Sequence, residues 1–311
     1  MEGETEAKIS LFASNARTIK EEFGRQKFLT VRLAALFYTQ EKKTADCTAI
    51  RQCYDMIRGR TGAFSAFRGN MSLCFAALLS LSDKPARLFS ETLHVYDLLK
   101  SVKFRTSEFL VAAAYQIASG ADSDRYSTVV ERTRAFYEGI KRCHRFHTGQ
   151  SDYIYAAMLG LSDYDVNTGV EHIERIYAQL NGKFWGKSNA KALSQVLVLG
   201  GISEETVSRL FILRDILIQG NNLSLLSLGI LSIAPADIDV IIRDIIEAQA
   251  FLRTQKGFRS PFNNEQELSL FTAALVAWEY KDVIKRDVIV AALLTSIIGI
   301  SIAQQADVAV G

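Results

Sequence analysis

The sequence predicts an all-α protein, and three observations support this. A pair of adjacent alanines within an apolar stretch begins at Ala34, Ala76, Ala113 and Ala156, at spacings of 42, 37 and 43 residues, and again at Ala273. Apolar residues between these pairs recur at three- and four-residue spacing, which is the period of a helix face. No Asn-Gly or Asp-Gly hairpin signal lies between alternating apolar runs. The predicted fold is an α-α superhelix of about seven helical-hairpin repeats.

The elements follow in chain order. An amphipathic helix over about Glu4–Phe23, within residues 1–25, is expected to cap the first repeat. The repeats occupy residues 28–282. Each has an apolar anchor helix with the small pair, a polar turn whose Asp or Ser can cap the next helix, and a second helix marked by a tyrosine such as Tyr54 or Tyr96. Two weaker copies, at Ser194–Gly201 and Ser227–Asp237, complete the seven.

An apolar helix is predicted over residues 283–311. Its core, Val288–Ala303, is shorter than the roughly 20 residues needed to cross a bilayer. We interpret it as a buried terminal helix, with docking on a membrane or a partner as the alternative. Membrane contact is expected only through this helix.

One continuous domain over residues 1–311 is predicted, because the chain has only three prolines and no linker-like segment. The superhelix can stay open as a solenoid or close into an α/α toroid. Both alternatives remain open, because nothing in the repeat spacing fixes its curvature.

Charge and cysteine usage narrow the class of protein. A net charge of +2 gives no general affinity for nucleic acid, because such affinity needs a concentrated excess of Lys and Arg. The four cysteines form no Cys-x-x-Cys pair, and the segment after Met1 is acidic, unlike a secretory signal peptide. We expect a cytoplasmic protein with reduced thiols.

Five segments share a phenylalanine followed by a polar or aromatic residue and then small polar residues, and each precedes an anchor helix. The phenylalanines are Phe67, Phe104, Phe146, Phe184 and Phe258. In the structural interpretation they pack the turn, and a later residue of each segment caps the next helix. These later residues are Asn70, Ser107, Ser151, Ser188 and Asn264.

The residue after each phenylalanine has no evident part in a turn. These residues are Arg68, Arg105, His147, Trp185 and Arg259. Arginine binds planar anions through two hydrogen bonds, and tryptophan offers a stacking surface, so this edge of the repeats is a candidate ligand-binding rim.

The densest polar cluster runs from Ile140 to Tyr153. Cys143, His144 and His147 are an incomplete zinc set, so no metal site is predicted. Asp152 lies beside a serine and these histidines, but adjacency in sequence does not make a catalytic triad. No Gly-rich phosphate loop occurs, and no cofactor is predicted. The candidate ligand-binding residues are Arg68, Asn70, Arg105, His144, His147, Asp152, Trp185 and Arg259, and no catalytic residue is assigned.

Several stretches resemble a bacterial all-helical family known only as a domain of unknown function. They are "RLAALFYT", "TGAFSAFRGN", "VYDLLK", "FRTSEFLVAAAY", "RTRAFYEG" and "DYIYAAMLGLSD". The resemblance covers about Leu11–Val283 and implies no activity, cofactor or catalytic residue. The stretch "RDILIQGNNLSLLSLG" departs from the pattern, since it lacks the phenylalanine segment and interrupts any continuous rim.

We therefore predict a helical-repeat binding or scaffold protein without catalytic activity, which binds a protein or a small polar or anionic ligand along the rim. The alternative is an α/α-toroid enzyme that acts on a polar substrate such as a carbohydrate or a peptide.

Overall fold

The computed structural model describes residues 2–184, 186–201, 204–217, 225–259, 265–280 and 286–310, and in these ranges the chain is helical and has no β-strand. The prediction of an all-α protein is confirmed. The first eight helices are α1 (Glu2–Glu22), α2 (Phe28–Gln40), α3 (Cys47–Arg60), α4 (Ser72–Ser80), α5 (Pro85–Ser101), α6 (Glu108–Gly120), α7 (Tyr126–Cys143) and α8 (Tyr153–Leu161). The next seven are α9 (Val166–Leu180), α10 (Lys187–Leu199), α11 (Glu204–Leu217), α12 (Leu225–Ile233), α13 (Ile238–Thr254), α14 (Glu265–Ala277) and α15 (Arg286–Val310).

Side-chain caps start several helices. Asp46 accepts a hydrogen bond from the amide of Ala49 (2.9 Å), and Ser107 accepts one from the amide of Leu110 (3.2 Å), both as predicted. Asp165 caps α9 through two backbone amides, which lower the pKa of its carboxyl group. Such bonds satisfy amides that the first helical turn leaves without partners.

Three predicted caps are wrong. Met71, not Asn70, precedes α4. Ser151 lies inside the 3₁₀ turn Gln150–Asp152, and Ser188 is the second residue of α10. Asn264 lies outside the described residues. At Ser151 the 3₁₀ turn carries the chain into α8, so no side-chain cap is needed there.

Two kinds of helix alternate along the chain. The anchor helices α2, α4, α6, α8 and α10 are buried on almost every side, whereas α3, α5, α7 and α9 bury one face. The predicted small pairs lie in the anchor helices, where Ala34, Ala76 and Ala156 are fully buried. Alanine at these positions lets neighbouring helices approach closely.

The contacts divide the chain into two compact units. Unit 1 comprises Met1–Ala86 and Ser208–Val283, and unit 2 comprises Arg87–Val207 and Ile284–Gly311. The single continuous domain over residues 1–311 stays a prediction.

In unit 1, α1 packs against both early and late helices. It contacts α2 and α13, and α2 in turn contacts α4 and α14. The ring of Phe12 on α1 lies 5.5 Å from the ring of Phe258 and 5.5 Å from that of Phe271. The predicted capping helix therefore also buries apolar surface of residues late in the chain.

In unit 2, the C-terminal helix α15 packs on the anchor helices α6, α8 and α10. Its residues Ile289, Leu294, Ile297 and Ile298 are fully buried, as expected for a buried terminal helix. Among the described residues, no helix combines the length and the apolar character needed to span a membrane.

Arginines fix the ends of two buried helices. Arg132 on α7 donates to the carbonyls of Gly160 (2.9 Å), Ser162 (2.8 Å) and Tyr164 (2.7 Å), at the end of α8. Arg209 on α11 makes the corresponding bonds at the end of α12, to the carbonyls of Ser232, Ala234 and Ala236. Each guanidinium satisfies one carbonyl of the last helical turn and two carbonyls of the residues that follow the helix.

A glycine sets the close approach of α7 and α8. A Cβ atom on Gly160 would lie 2.4 Å from Oγ1 of Thr133 and 3.0 Å from its backbone nitrogen. We expect Gly160→Ala to lower the free energy of unfolding by about 1–3 kcal/mol, because the helices must move apart.

Gly59 in α3 is the matched control, since a Cβ atom there meets nothing within 4 Å. Gly59→Ala is expected to raise the free energy of unfolding by about 0.4–1 kcal/mol. Urea unfolding of both variants measures the difference. Equal stability of the two variants would contradict the assigned packing.

Candidate functional site

Two arginines of the predicted rim cap helix ends. Arg68 donates to the carbonyls of Arg58 and Thr61 and to Oγ1 of Thr61, at the end of α3. Arg259 donates through Nε to the carbonyl of Thr254, the last residue of α13. The inference that these residues have no part in the turn is therefore wrong at both positions. Ligand binding by them stays a prediction.

The other predicted rim residues differ in exposure. Arg105 and His147 are exposed, and Asn70 is half-buried. Trp185 lies outside the described residues. Arg105 and His147 are exposed rim residues, in contrast to Arg68 and Arg259, which bond the ends of helices.

The phenylalanines of the segments pack the turns in four of five cases. Phe67, Phe104, Phe184 and Phe258 are buried, but the side chain of Phe146 is 90% exposed. At that turn His144 is buried instead. Its ring lies 4.3 Å from that of Tyr177, and its Nε2 lies 2.6 Å from the Glu174 carboxylate. His144 therefore stabilises the end of α7, and Phe146 projects into solvent.

Asp152 lies at the centre of a buried polar network and is 2% exposed. Its carboxylate accepts hydrogen bonds from Nζ of Lys191 (2.7 Å), Nε2 of Gln195 (3.0 Å) and the amide of Gly149 (2.8 Å). Lys191 also donates to the carbonyl of His147. Burial lowers the pKa of Lys191, although the Asp152 charge opposes the shift. The network ties the turn before α8 to α10.

A cluster of three aromatic rings supports the turn before α6. The ring of Phe104 lies 4.8 Å from that of Tyr153 and 5.3 Å from that of Tyr137. The amide of Arg105 donates to the hydroxyl of Tyr153 (3.4 Å). Burial raises the pKa of Tyr137 to about 12. The aromatic cluster therefore holds the backbone of Arg105 in place.

These two turns are adjacent in unit 2, because Tyr153 contacts the first and directly follows Asp152, which holds the second. They carry the exposed side chains of Lys103, Arg105, Arg145 and His147, which we name the cationic rim. Residues 102–107 and 144–151 contain no Asp or Glu. The rim can hold an anion through charge-assisted hydrogen bonds.

In the described part of the chain, no three His, Cys, Asp or Glu side chains lie close enough together to hold a metal ion. Cys143 is exposed and His144 is paired with Glu174. Of the two histidines in this predicted cluster, His144 therefore contributes to packing and His147 belongs to the cationic rim.

The basic members of two buried ion pairs, Arg32 and Lys191, were not predicted from the sequence. Lys191 and Gln195 lie four residues apart in α10 and are buried with the apolar residues of that anchor helix. Arg32 lies in α2 and pairs with Glu267 of α14 at 3.1 Å, and both side chains are at most 10% exposed. A basic residue inside an apolar anchor helix was the available signal, since such a charge needs a buried partner.

Comparison with known protein families identifies a match over most of the chain. A family model described as "Protein of unknown function (DUF4003)" matches residues 15–307. No curated protein matches the chain, and no solved structure matches it. The predicted resemblance to a family of unknown function is confirmed.

Proposed function

We propose that this chain, which belongs to the DUF4003 family of proteins of unknown function, is a non-catalytic helical-repeat protein that binds an anionic ligand or partner on the cationic rim of unit 2. One observation carries the proposal. Four exposed cationic or titratable side chains lie on two adjacent turns, and residues 102–107 and 144–151 of these turns include no Asp or Glu. The neighbouring carboxylates of Asp152 and Glu174 are paired, with Lys191 and His144 respectively. A protein of net charge +2 thus has a local concentration of positive charge.

The backbone of the cationic rim is held in place by packed residues beneath it, which favours binding there. The aromatic rings under Arg105 and the Asp152 network under His147 hold both backbone segments in place. A positioned guanidinium loses less conformational entropy on binding than one on a loose loop. Its planar donors match a carboxylate or a phosphate.

The repeat arrangement is part of the proposal, and a contact that occurs in both units supports it. In unit 2, Lys191 bonds Asp152 and the carbonyl of His147. In unit 1, Arg32 bonds Glu267 and the carbonyl of Gly257 (3.2 Å). In each case, the basic residue of one anchor helix bonds an acidic residue near the start of the neighbouring anchor helix. The same basic residue also bonds a carbonyl in the turn that precedes that neighbouring helix.

A contact between the first and last anchor helices of the predicted series supports the closed form of the superhelix. In unit 1, α2 contacts α14, so the first and last anchor helices of the predicted series are neighbours. An open solenoid of seven hairpins would separate them. The expected cytoplasmic location fits the four cysteines, all in described ranges, which form no disulfide.

The alternative of a toroid enzyme has less support. Asp152, the carboxylate of the predicted site, is buried and shared by three donors, so a substrate cannot reach it in this arrangement.

Binding of a fluorescein-labelled oligoglutamate peptide at low ionic strength tests the proposal. We expect Arg105→Glu and Arg145→Glu each to weaken binding at least about tenfold, because a hydrogen bond to a charged group contributes about 1.5–3 kcal/mol. Fluorescence anisotropy measures the affinity.

Arg125→Glu is the matched control. It makes the same charge change at an exposed position in unit 2, just before α7 begins, whereas the rim follows the end of that helix. The 18 residues of α7 separate the two positions by about 27 Å. Equal loss of binding in the control and the rim variants would refute a local site.

A further inference from the structure

We propose that a groove between α1 and α13, within unit 1, binds a basic amphipathic helix of a partner protein. The groove has a volume of about 930 Å³, and its walls include Glu6 and Ile9 of α1 and Asp244, Glu247 and Phe251 of α13. We name it the α1–α13 groove. The proposal does not depend on the cationic rim, which lies in unit 2.

The floor of the α1–α13 groove is apolar. Ile9 and Ala248 are each 1% exposed, and the half-buried Phe251 lines the same groove. The helices α1 and α13 contact each other, so both walls belong to one packed unit. An apolar groove between two helices can bury the apolar stripe of a third helix.

The wall that α13 contributes has the period of a helix face. Its lining residues recur at i, i+3, i+4, i+7 and i+10, and they are Asp244, Glu247, Ala248, Phe251 and Thr254. This stripe extends about 15 Å along the axis, or nearly three turns. A partner helix that lies along the stripe contacts all of it, and the small Ala248 lets the two backbones approach closely.

Carboxylates on both walls make the groove negative. Glu6 on α1 and Glu247 on α13 are exposed, and neither forms an ion pair with another described residue. The third carboxylate, Asp244, lies 3.5 Å from the guanidinium of Arg243. Among the described residues that line the groove, Arg243 is the only base, so three carboxylates face one cation. The groove therefore attracts a basic partner, although the whole chain has a net charge of +2.

The apolar floor and the acidic walls together indicate the class of partner. They match a helix that has an apolar stripe with lysines or arginines on either side of it. The apolar stems of these basic side chains pack along the walls while their charged ends reach the carboxylates. A small organic cation would pair with Glu6 or Glu247 but would leave most of the stripe on α13 uncovered.

Fluorescence anisotropy with a fluorescein-labelled leucine–lysine peptide tests the inference on the full chain. The peptide has leucines at three- and four-residue spacing and about 14 residues, enough for nearly four helical turns. We expect it to bind at least about tenfold more tightly than an oligolysine peptide of the same length, because only the first peptide buries leucines.

Three variants locate the binding. Glu6→Lys and Glu247→Lys should each weaken binding of the leucine–lysine peptide about fivefold, because the reversed charge replaces attraction by repulsion. Phe251→Ser should weaken it at least about fivefold through lost apolar contact. Circular dichroism checks that the variants are folded. If Phe251→Ser does not fold, the two exposed glutamates decide the test.

Two controls match these variants. Glu21→Lys makes the same charge change at an exposed position of α1, about 22 Å further along the helix than Glu6. Ile216→Ser removes a 47% exposed apolar side chain of α11 that does not line the groove. Both controls should bind the leucine–lysine peptide as the wild type does.

Several results would overturn the inference. Equally tight binding of the two peptides would indicate a site for cations alone, and no binding of either would exclude the groove as a docking site. An equal loss of binding in Glu21→Lys and Glu247→Lys would show attraction without a local site. Self-association of the chain that Glu247→Lys abolishes would assign the groove to a second copy of this protein. The cationic rim is tested separately, by the oligoglutamate peptide.

Discussion

Lys191→Met is expected to lower the free energy of unfolding by about 3–5 kcal/mol, the cost of leaving a buried charge without its partner. Both side chains of the Lys191–Asp152 pair are 3% exposed. Methionine keeps an unbranched apolar side chain close to the length of the lysine stem, but it donates no hydrogen bond. The Asp152 carboxylate would then keep only Gln195 and the Gly149 amide as donors.

Two variants make this prediction specific, with stability measured by urea unfolding. Lys187→Met removes an exposed positive charge from the same helix and should change stability by less than about 0.5 kcal/mol. The double variant Asp152→Asn with Lys191→Met should recover part of the loss, because the uncompensated charge is gone. A single variant as stable as the double variant would show that Asp152 is not a buried charge.

Arg32→Met in unit 1 is expected to have a similarly large effect, about 3–5 kcal/mol. The guanidinium of Arg32 is paired with Glu267, donates to the carbonyl of Gly257 and lies 4.6 Å from the centre of the Phe258 ring. Burial lowers the pKa of Arg32, while Glu267 opposes the shift. The substitution leaves Glu267 buried without its cation and removes the contact that joins α2 to the turn before α14.

Arg17→Met is the control for this prediction, since Arg17 is an exposed residue of α1 in the same unit. It should leave the urea midpoint nearly unchanged. If Arg32→Met were as mild as Arg17→Met, the pair would not hold the first and last anchor helices together. The support for a closed series of repeats would then be lost.

The helices and one helix cap could be predicted from the sequence because they depend on residues that are close together in the chain. The period of apolar residues and the small pairs at Ala34, Ala76 and Ala156 give the helical fold, because burial of one helix face depends on spacing alone. Ser107 was identified as a cap because its side chain acts within its own turn.

The features that the sequence did not predict depend on the path of the chain. Phe146 occupies the phenylalanine position of its sequence segment. In the structure, however, the buried residue at that turn is His144, which caps the C-terminal end of α7 and bonds Glu174, 30 residues away. The role of Arg68 was missed because two of its acceptors are backbone carbonyls at the end of α3, and carbonyls have no sequence signature. Burial at a turn follows from where the preceding helix stops.

The buried ion pairs were missed for the same reason. Lys191 and Asp152 are 39 residues apart, and Arg32 and Glu267 are 235 residues apart. Each is an ordinary charged residue within its own stretch. Only the packing of one anchor helix on its neighbour brings the acid and the base together, so the sequence around either residue does not reveal its partner.

Amide hydrogen exchange with and without the oligoglutamate peptide tests the central claim, that the cationic rim is the binding surface. We predict slower exchange in residues 102–107 and 144–151 when the peptide is bound, and unchanged exchange at the Arg125 end of α7. Protection confined to any other part of the chain, with these two turns unaffected, would contradict the account.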